Sequence, residues 1–332
     1  MNIANIPGGL RLDVETSKPT LRLETAHSMR MRMTADGEPL FWARMDRQWA
    51  GVWVVRAKAR QLSVARPIRA AEARDGRSME AWMRWFATEL QNGTSPLNQG
   101  EWRLSSMRQA EPTSLRDRAR SKVLDIFFSN GEEGCPGPAY GALDAMDTPR
   151  VHYEHWMMGG ADVLPLRDPS PEDSGRIKSW RKHARDGTLP PVLLWWVSAL
   201  DSHVVLDGHD RLSAAAAEGV APRLITLWQC TTMPVGHDLE ARAQFLRSYE
   251  RAFTSPNLSP RSRKELNEKL MWLHKESWLR SRSTAKVSPT LDAEWEQEIL
   301  AAAGDEDVSD VLTLQLAKKR AAEASSHESN YE

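Results

Sequence analysis

The stretch Val205-Leu206-Asp207-Gly208-His209-Asp210-Arg211-Leu212 lies at a change of hydrophobic pattern in the middle of the chain. The apolar residues before Asp207 predict a strand, and the Ala-rich run 212–218 predicts a helix. Gly208 can adopt a tight turn and lets a ligand approach the backbone. Since a helix begins with N–H groups that have no partner within it, these groups and the Arg211 guanidinium would together form an anion site.

The neighbouring segments predict an α/β unit around this turn. Apolar runs predict strands at 163–166, 192–197, 203–206 and 223–229, and amphipathic or Ala-rich runs predict helices at 171–185 and 212–218. The run 192–197 is apolar without a break, which is typical of a strand covered on both faces. The predicted order is strand, helix, strand, strand, helix, strand.

This layout over about residues 161–229, with Gly208-x-x-Arg211-x-x-Ala214 at the turn, resembles the ParB/sulfiredoxin superfamily. The resemblance covers roughly a fifth of the chain. It implies a bound nucleotide, ATP, ADP or CTP, with its phosphates at the turn and Mg²⁺ beside them. The residues expected to contact the nucleotide are Gly208, His209, Asp210, Arg211 and Arg167, with Arg185 as a further candidate.

Departures from the family pattern separate its branches. Sulfiredoxins carry a reactive Cys where His209 stands, and no partition-type Glu-Asn-x-x-Arg motif or helix-turn-helix follows Gly219. Residues 207–211 are closest to the Asp-Gly-His-His-Arg motif of the free serine kinases. That branch implies Glu172 as the base for a hydroxyl proton, Asp207 as a Mg²⁺ or hydroxyl ligand, and His209 as a phosphate contact or acid–base group.

Simpler interpretations of the same residues stay open. Glu172 is also the acid that the first turn of a helix favours, and Asp207 is also an ordinary turn-capping residue. His152 and His155 have a spacing that could serve a metal, but no third ligand is evident, so no metal site is predicted.

Outside the α/β unit, the patterns predict a fold of the α+β class in three parts. Residues 1–150 form a β-rich region with a hairpin turn at Asp36-Gly37 and helices at 77–91 and Pro112–Phe128, and 131–160 is the seam. Residues 151–234 form the ParB/sulfiredoxin-like domain. Residues 235–332 are helical, at 237–253 and 259–280, with a frayed tail. The basic block 261–286 and the acidic block 291–310 are expected to neutralise one another or to form a solvated surface.

Composition limits the classes of function. The 44 basic and 45 acidic residues give a net charge of −1, which excludes a globally basic nucleic-acid coat but allows a local patch. Two cysteines, Cys135 and Cys230, form neither a disulfide framework nor a CxxC zinc pattern. Without an apolar run of ~20 residues or a secretory leader, the sequence predicts a cytoplasmic protein with no membrane partner.

These observations support three hypotheses. The first is a nucleotide-binding protein, an ATPase or a small-molecule or protein kinase. The second is a non-catalytic antitoxin, immunity or regulatory factor that meets a protein partner through the Trp-rich N-terminal half or the helical tail, since Trp and Arg dominate interface hot spots. The third is a ParB-like nuclease or DNA-associated factor, which the near-zero net charge disfavours.

Overall fold

A computed structural model describes the chain apart from residues 17, 28, 46–50, 59–61, 63, 110–135, 137, 156–161, 235–238, 255–257, 274–276, 305–307 and 313–332. Its described residues form two β-sheets, one of eight strands and one of six, with helices packed on both. The mixed α and β class that the sequence predicts is therefore confirmed. The predicted helix Pro112–Phe128 lies outside the described residues.

The eight-stranded sheet combines strands from all parts of the chain. They are β1 (Asn2–Ile6), β2 (Gly9–Val14), β7 (Gly100–Met107), β9 (Val163–Pro165), β10 (Val192–Val197), β11 (Ser202–Asp207), β12 (Leu224–Pro234) and β13 (Ser277–Arg282). Their order is β1-β2-β7-β12-β10-β11-β9, and β13 pairs with β12 off this path. The β10–β12 and β11–β9 pairs are parallel, and the others are antiparallel.

The six-stranded sheet follows the hairpin pattern of the N-terminal sequence. Its strands are β3 (Leu21–Thr25), β4 (Arg30–Ala35), β5 (Glu38–Met45), β6 (Gly51–Arg56), β8 (Val151–His155) and β14 (Ala285–Val287), in the order β14-β3-β4-β5-β6-β8. Asp36 and Gly37 join β4 to β5 with φ of 52° and 88°. A two-residue hairpin turn of the primed type needs these positive φ angles, so the predicted turn is confirmed.

The described residues form the following helices, several of which pack on the sheets. They are α1 (Ala70–Arg74), α2 (Met79–Asn92), α3 (Gly175–Arg185), α4 (His209–Ala217), α5 (Leu239–Phe253), α6 (Pro260–Leu273), α7 (Leu291–Ala303) and α8 (Ser309–Leu312), with a 3₁₀ turn at Asp144–Asp147. As predicted, α2 buries one apolar face, with Trp82, Met83, Phe86 and Leu90. In the N-terminal half Trp42, Trp82 and Trp102 are all buried, so these tryptophans form core rather than a partner surface.

The α/β unit has the predicted order, β9-α3-β10-β11-α4-β12, with shifted boundaries. Helix α3 begins at Gly175 rather than 171, because Ser174 caps it: its Oγ accepts a hydrogen bond from the Ile177 N–H at 3.2 Å. Helix α4 begins at His209, directly after the turn.

The two sheets do not follow the predicted division of the chain into three parts. Strand β7 of the N-terminal region pairs with β12 from Leu224↔Met107 to Cys230↔Glu101, and β8 pairs with β6. Strand β13 likewise pairs with β12 across the expected boundary at 234. Because main-chain hydrogen bonds continue across both expected boundaries, the α/β unit is one end of a larger sheet.

The prediction that residues 235–332 are helical is wrong in part, because Ser277–Arg282 is a strand. Its acidic helix α7 packs on the six-stranded sheet, where Trp295 is fully buried. The α7 carboxylates contact Arg30 and Arg32 of β4, for example Glu294 with Arg32 at 3.4 Å. The expected neutralisation of the acidic block by the basic block 261–286 is therefore wrong, since sheet arginines neutralise these acids.

Among the described residues, no helix combines the length and apolar character that crossing a membrane requires.

Candidate functional site

The predicted turn sits where β11 ends and α4 begins. Gly208 is the N-cap of α4 with φ of 104°, a left-handed conformation that favours glycine. The first hydrogen bond of the helix runs from the Leu212 N–H to the Gly208 carbonyl at 2.8 Å. The N–H groups of residues 209–211 precede this bond, and within the described part of the chain no side chain caps them. The strand–turn–helix geometry is thus the predicted one.

Arg211 points back into the protein rather than toward solvent. Its Nη2 donates to Asp207 Oδ2 at 2.7 Å and to the Pro191 carbonyl at 3.0 Å, and the residue is 2% exposed. The guanidinium folds over the turn so closely that a Cβ on Gly208 would lie 2.8 Å from Nη2. The positive φ of residue 208 favours glycine whether or not a ligand is present, and a Cβ there would also require the guanidinium to shift.

Asp210 is held by two hydrogen-bond donors from the neighbouring segment and by a further cation in ion-pair contact. Oδ1 accepts from the Ser170 N–H at 2.8 Å and lies 3.4 Å from Arg167 Nη1, while Oδ2 lies 2.6 Å from Arg176 Nε. Burial by itself would raise the pKa of Asp210, but the Ser170 hydrogen bond and the two arginines outweigh it and lower that pKa. The carboxylate is therefore ionised at neutral pH and occupies the positive site that these groups create.

His209 is buried as a neutral imidazole. Its Nε2 accepts a hydrogen bond from the Leu166 N–H at 3.1 Å, which leaves the ring proton on Nδ1. Burial and the nearby Arg167 hold its pKa well below the ordinary value for histidine. A group held in this way at 2% exposure does not meet solvent as an acid or base.

The structure separates the remaining predicted residues from the turn. Glu172 is exposed in the turn before α3 and forms no hydrogen bond or ion pair with the turn residues 207–211. Arg185 bonds Glu218 at 2.7 Å, at the far end of α4. Of the two histidines considered for a metal, His152 Nδ1 lies 3.1 Å from the Pro149 carbonyl, and the described residues include no group of three metal-ligating side chains.

Two arginines that the sequence analysis did not select belong to the same site. Arg56 of β6 is buried and bonds Asp168 at 3.2 Å and the Thr148 carbonyl at 2.8 Å. Arg176 reaches Asp210 from the first turn of α3. No signal in the sequence indicated Arg176, because the helix predicted over 171–185 placed it beyond the first turn, the only place where a basic residue is electrostatically disfavoured.

These side chains form a closed arginine–aspartate cluster. Its members are Arg56, Arg167, Arg176 and Arg211 on the positive side and Asp168, Asp207 and Asp210 on the negative side. In this conformation the cations of the cluster are bound to its own carboxylates and carbonyls, so the anion site predicted at the turn is not open to a ligand. The roles proposed for the residues of the turn stay predictions.

A cavity of about 240 Å³ lies at the other end of β9, and the turn residues do not line it. Its walls include Asp144, Glu154 and Asp162. An acidic wall repels phosphate, so this cavity is not an alternative nucleotide site.

Comparison of the chain with protein-family models and curated proteins, and of the fold with solved structures, finds no match. The resemblance to the ParB/sulfiredoxin superfamily therefore stays a prediction carried by the motif and the element order.

Proposed function

We propose that this protein is a non-catalytic interaction factor, in which the strand–turn–helix at residues 207–211 is a structural junction rather than a nucleotide site. The observation that carries the proposal is the internal pairing of Arg211 with Asp207 and the Pro191 carbonyl at 2% exposure. Both bonds use Nη2, and at this exposure a phosphate could reach the remaining Nε only if the turn rearranged.

The second support is the position of the Asp210 carboxylate. It receives the Ser170 N–H and faces Arg167 and Arg176, which are the kinds of donor that a phosphate would use. A ligand phosphate would have to compete with a carboxylate that is tethered at the site. An intramolecular competitor has a high effective concentration, so this competition favours the protein's own group.

The residues predicted to be catalytic also lack the contacts that phosphoryl transfer needs. Glu172 is exposed outside the cluster, and His209 uses its Nε2 lone pair on the Leu166 N–H. A general base has to reach the proton that it removes, so these two residues do not form a pair for phosphoryl transfer in this arrangement.

A nucleotide-binding protein that rearranges on binding is the second candidate. It is favoured by the uncapped N–H groups at the start of α4 and by the buried Arg211 Nε, which has no hydrogen-bond partner. In this case ATP, ADP or CTP with Mg²⁺ would draw the guanidinium away from Asp207.

A thermal-shift panel distinguishes the two candidates. With ATP, ADP, CTP or GTP and Mg²⁺, we expect a shift below about 1 °C, because no open anion site is available. A ligand at 100 times its Kd would stabilise the fold by about 2.7 kcal/mol and raise Tm by roughly 5 °C. Release of inorganic phosphate, measured in parallel, is expected to stay at the buffer rate.

The matched variant is Arg211→Lys, which keeps the positive charge but loses the forked guanidinium. A nucleotide-dependent shift in the wild type that disappears in this variant would overturn the proposal and support nucleotide binding. If neither protein responds, the turn at 207–211 is a structural junction, as proposed.

A further inference from the structure

The arm formed by α5, α6 and β13 extends from the end of the eight-stranded sheet. Strand β12 pairs with β7 only as far as Cys230, and from Thr231 to Pro234 its described pairing is with β13 alone. The two helices that connect these strands pack on each other, with the Arg263 guanidinium of α6 over the Phe253 ring of α5 at 4.8 Å. None of the described side chains in α5 and α6 is buried.

The outer side of the arm is polar and basic. Apart from Pro260 at the start of α6, the exposed side chains described in both helices are polar or charged, whereas apolar residues such as Leu246, Phe253 and Leu266 are half-buried. Tyr249 of α5 also bonds Asn267 of α6 at 2.7 Å. The described apolar residues of the hairpin thus hold its helices together, and the exposed side chains that the structure describes there offer a partner no apolar centre.

Positive charge is concentrated in this part of the chain. Residues 239–282 contain 10 basic and 5 acidic residues, a net charge of +5, so the rest of the chain carries −6 if the total is −1. The whole-chain charge hides this separation. A partner with many negative charges would be attracted to the arm and repelled elsewhere.

Several arginines of the arm have no carboxylate within ion-pair distance among the described residues, in contrast to those of the arginine–aspartate cluster. They are Arg247, Arg251, Arg263, Arg280 and Arg282. All five are exposed. Arg280 and Arg282 are two positions apart on β13, so they project from the same face of the strand.

We propose that this arm binds the phosphate backbone of nucleic acid through its exposed arginines. Interfaces with nucleic acid are more polar and much more positively charged than those between proteins, which centre on apolar and aromatic residues. The exposed side chains that the structure describes on the arm have the first composition. Arginine is also suited to phosphate because its planar fork can donate two hydrogen bonds at once. The inference does not depend on whether the turn at 207–211 binds a nucleotide.

Fluorescence anisotropy with the full-length protein and a labelled 20-base-pair DNA duplex tests the proposal. We expect binding that weakens steeply between 50 and 300 mM KCl, because each phosphate contact releases counterions and steepens the log–log slope by about 0.9. The paired substitutions Arg280→Ser and Arg282→Ser are expected to weaken binding roughly tenfold and to make that slope shallower by about two.

The matched control removes the same charge elsewhere. Arg22 and Arg74 are exposed outside the arm and contact no described carboxylate, so Arg22→Ser with Arg74→Ser should leave the affinity within about twofold of the wild type. Binding that is absent at 50 mM KCl, or equally reduced in both double variants, would overturn the proposal. So would displacement by polyglutamate as efficient, charge for charge, as by unlabelled DNA, which would indicate an acidic protein partner instead.

Discussion

Replacing Arg211 by methionine is expected to lower the free energy of unfolding by about 3–5 kcal/mol. The methionine fills part of the volume but leaves the Pro191 carbonyl and Asp207 Oδ2 without the donor that now lies at 3.0 and 2.7 Å. Removing one partner of a buried ion pair is costly because the other charge stays behind without compensation. Urea unfolding, with the slope checked for constancy, measures the change.

Asp207 and Arg211 should also be coupled. Asp207→Asn keeps an oxygen that can accept from the guanidinium, so it should cost less than Arg211→Met. If the two groups stabilise the fold through each other, the double variant will cost less than the sum of the single variants, by about 1–3 kcal/mol.

A surface pair of the same spacing provides the control. Arg261 and Glu265 are four residues apart with their closest atoms at 3.0 Å, but the Arg261 side chain is 90% exposed. Arg261→Met should change stability by less than about 0.5 kcal/mol. If Arg211→Met were as mild as this control, the buried pair would not be structural, and a ligand role for Arg211 would be the better explanation.

The sequence predicted the strand, turn and helix of this site, but it did not predict that Arg211 and Asp210 are bound by groups of the protein itself. The apolar run before Asp207 and the glycine after it define a strand, a turn and a helix through residues that are neighbours in the chain. The Asp207–Arg211 pair also has a four-residue spacing, which could have indicated an internal contact. The donors around Asp210 come from about 40 residues upstream, and no local pattern reveals them.

Long-range pairing explains the remaining differences. The register of β7 against β12 joins residues more than 100 positions apart, so hydrophobic periodicity could not show that the N-terminal region shares the sheet of the α/β unit. Strand β13 could have been found, since Leu279, Arg280, Ser281 and Arg282 alternate between half-buried and exposed. The helix predicted over 259–280 instead included the first four residues of this strand.

Replacing Asp210 by alanine is expected to turn the closed cluster into an anion site. The variant leaves the Ser170 N–H, Arg167 and Arg176 facing an empty volume at a position that is 2% exposed. Loss of the charged hydrogen bonds should lower stability by about 2–3 kcal/mol in chloride buffer. Because the pKa of Asp210 is lowered, its stabilising effect is present at neutral pH and is lost as the pH falls through that value, so the variant should also be less sensitive to acid.

Inorganic phosphate should then restore what the carboxylate supplied. At about 100 times its Kd, phosphate would raise the stability of Asp210→Ala by about 2.7 kcal/mol, whereas the wild type, whose site is filled, should gain only what ionic strength gives any protein. Glu218→Ala is the control, because it also deprives two arginines, Arg181 and Arg185, of their carboxylate, but on the surface. A phosphate response equal in all three proteins would show that these donors do not form an oxyanion site. A response confined to Asp210→Ala would mean that a single side chain closes the site, because the same donors accept phosphate once that carboxylate is removed.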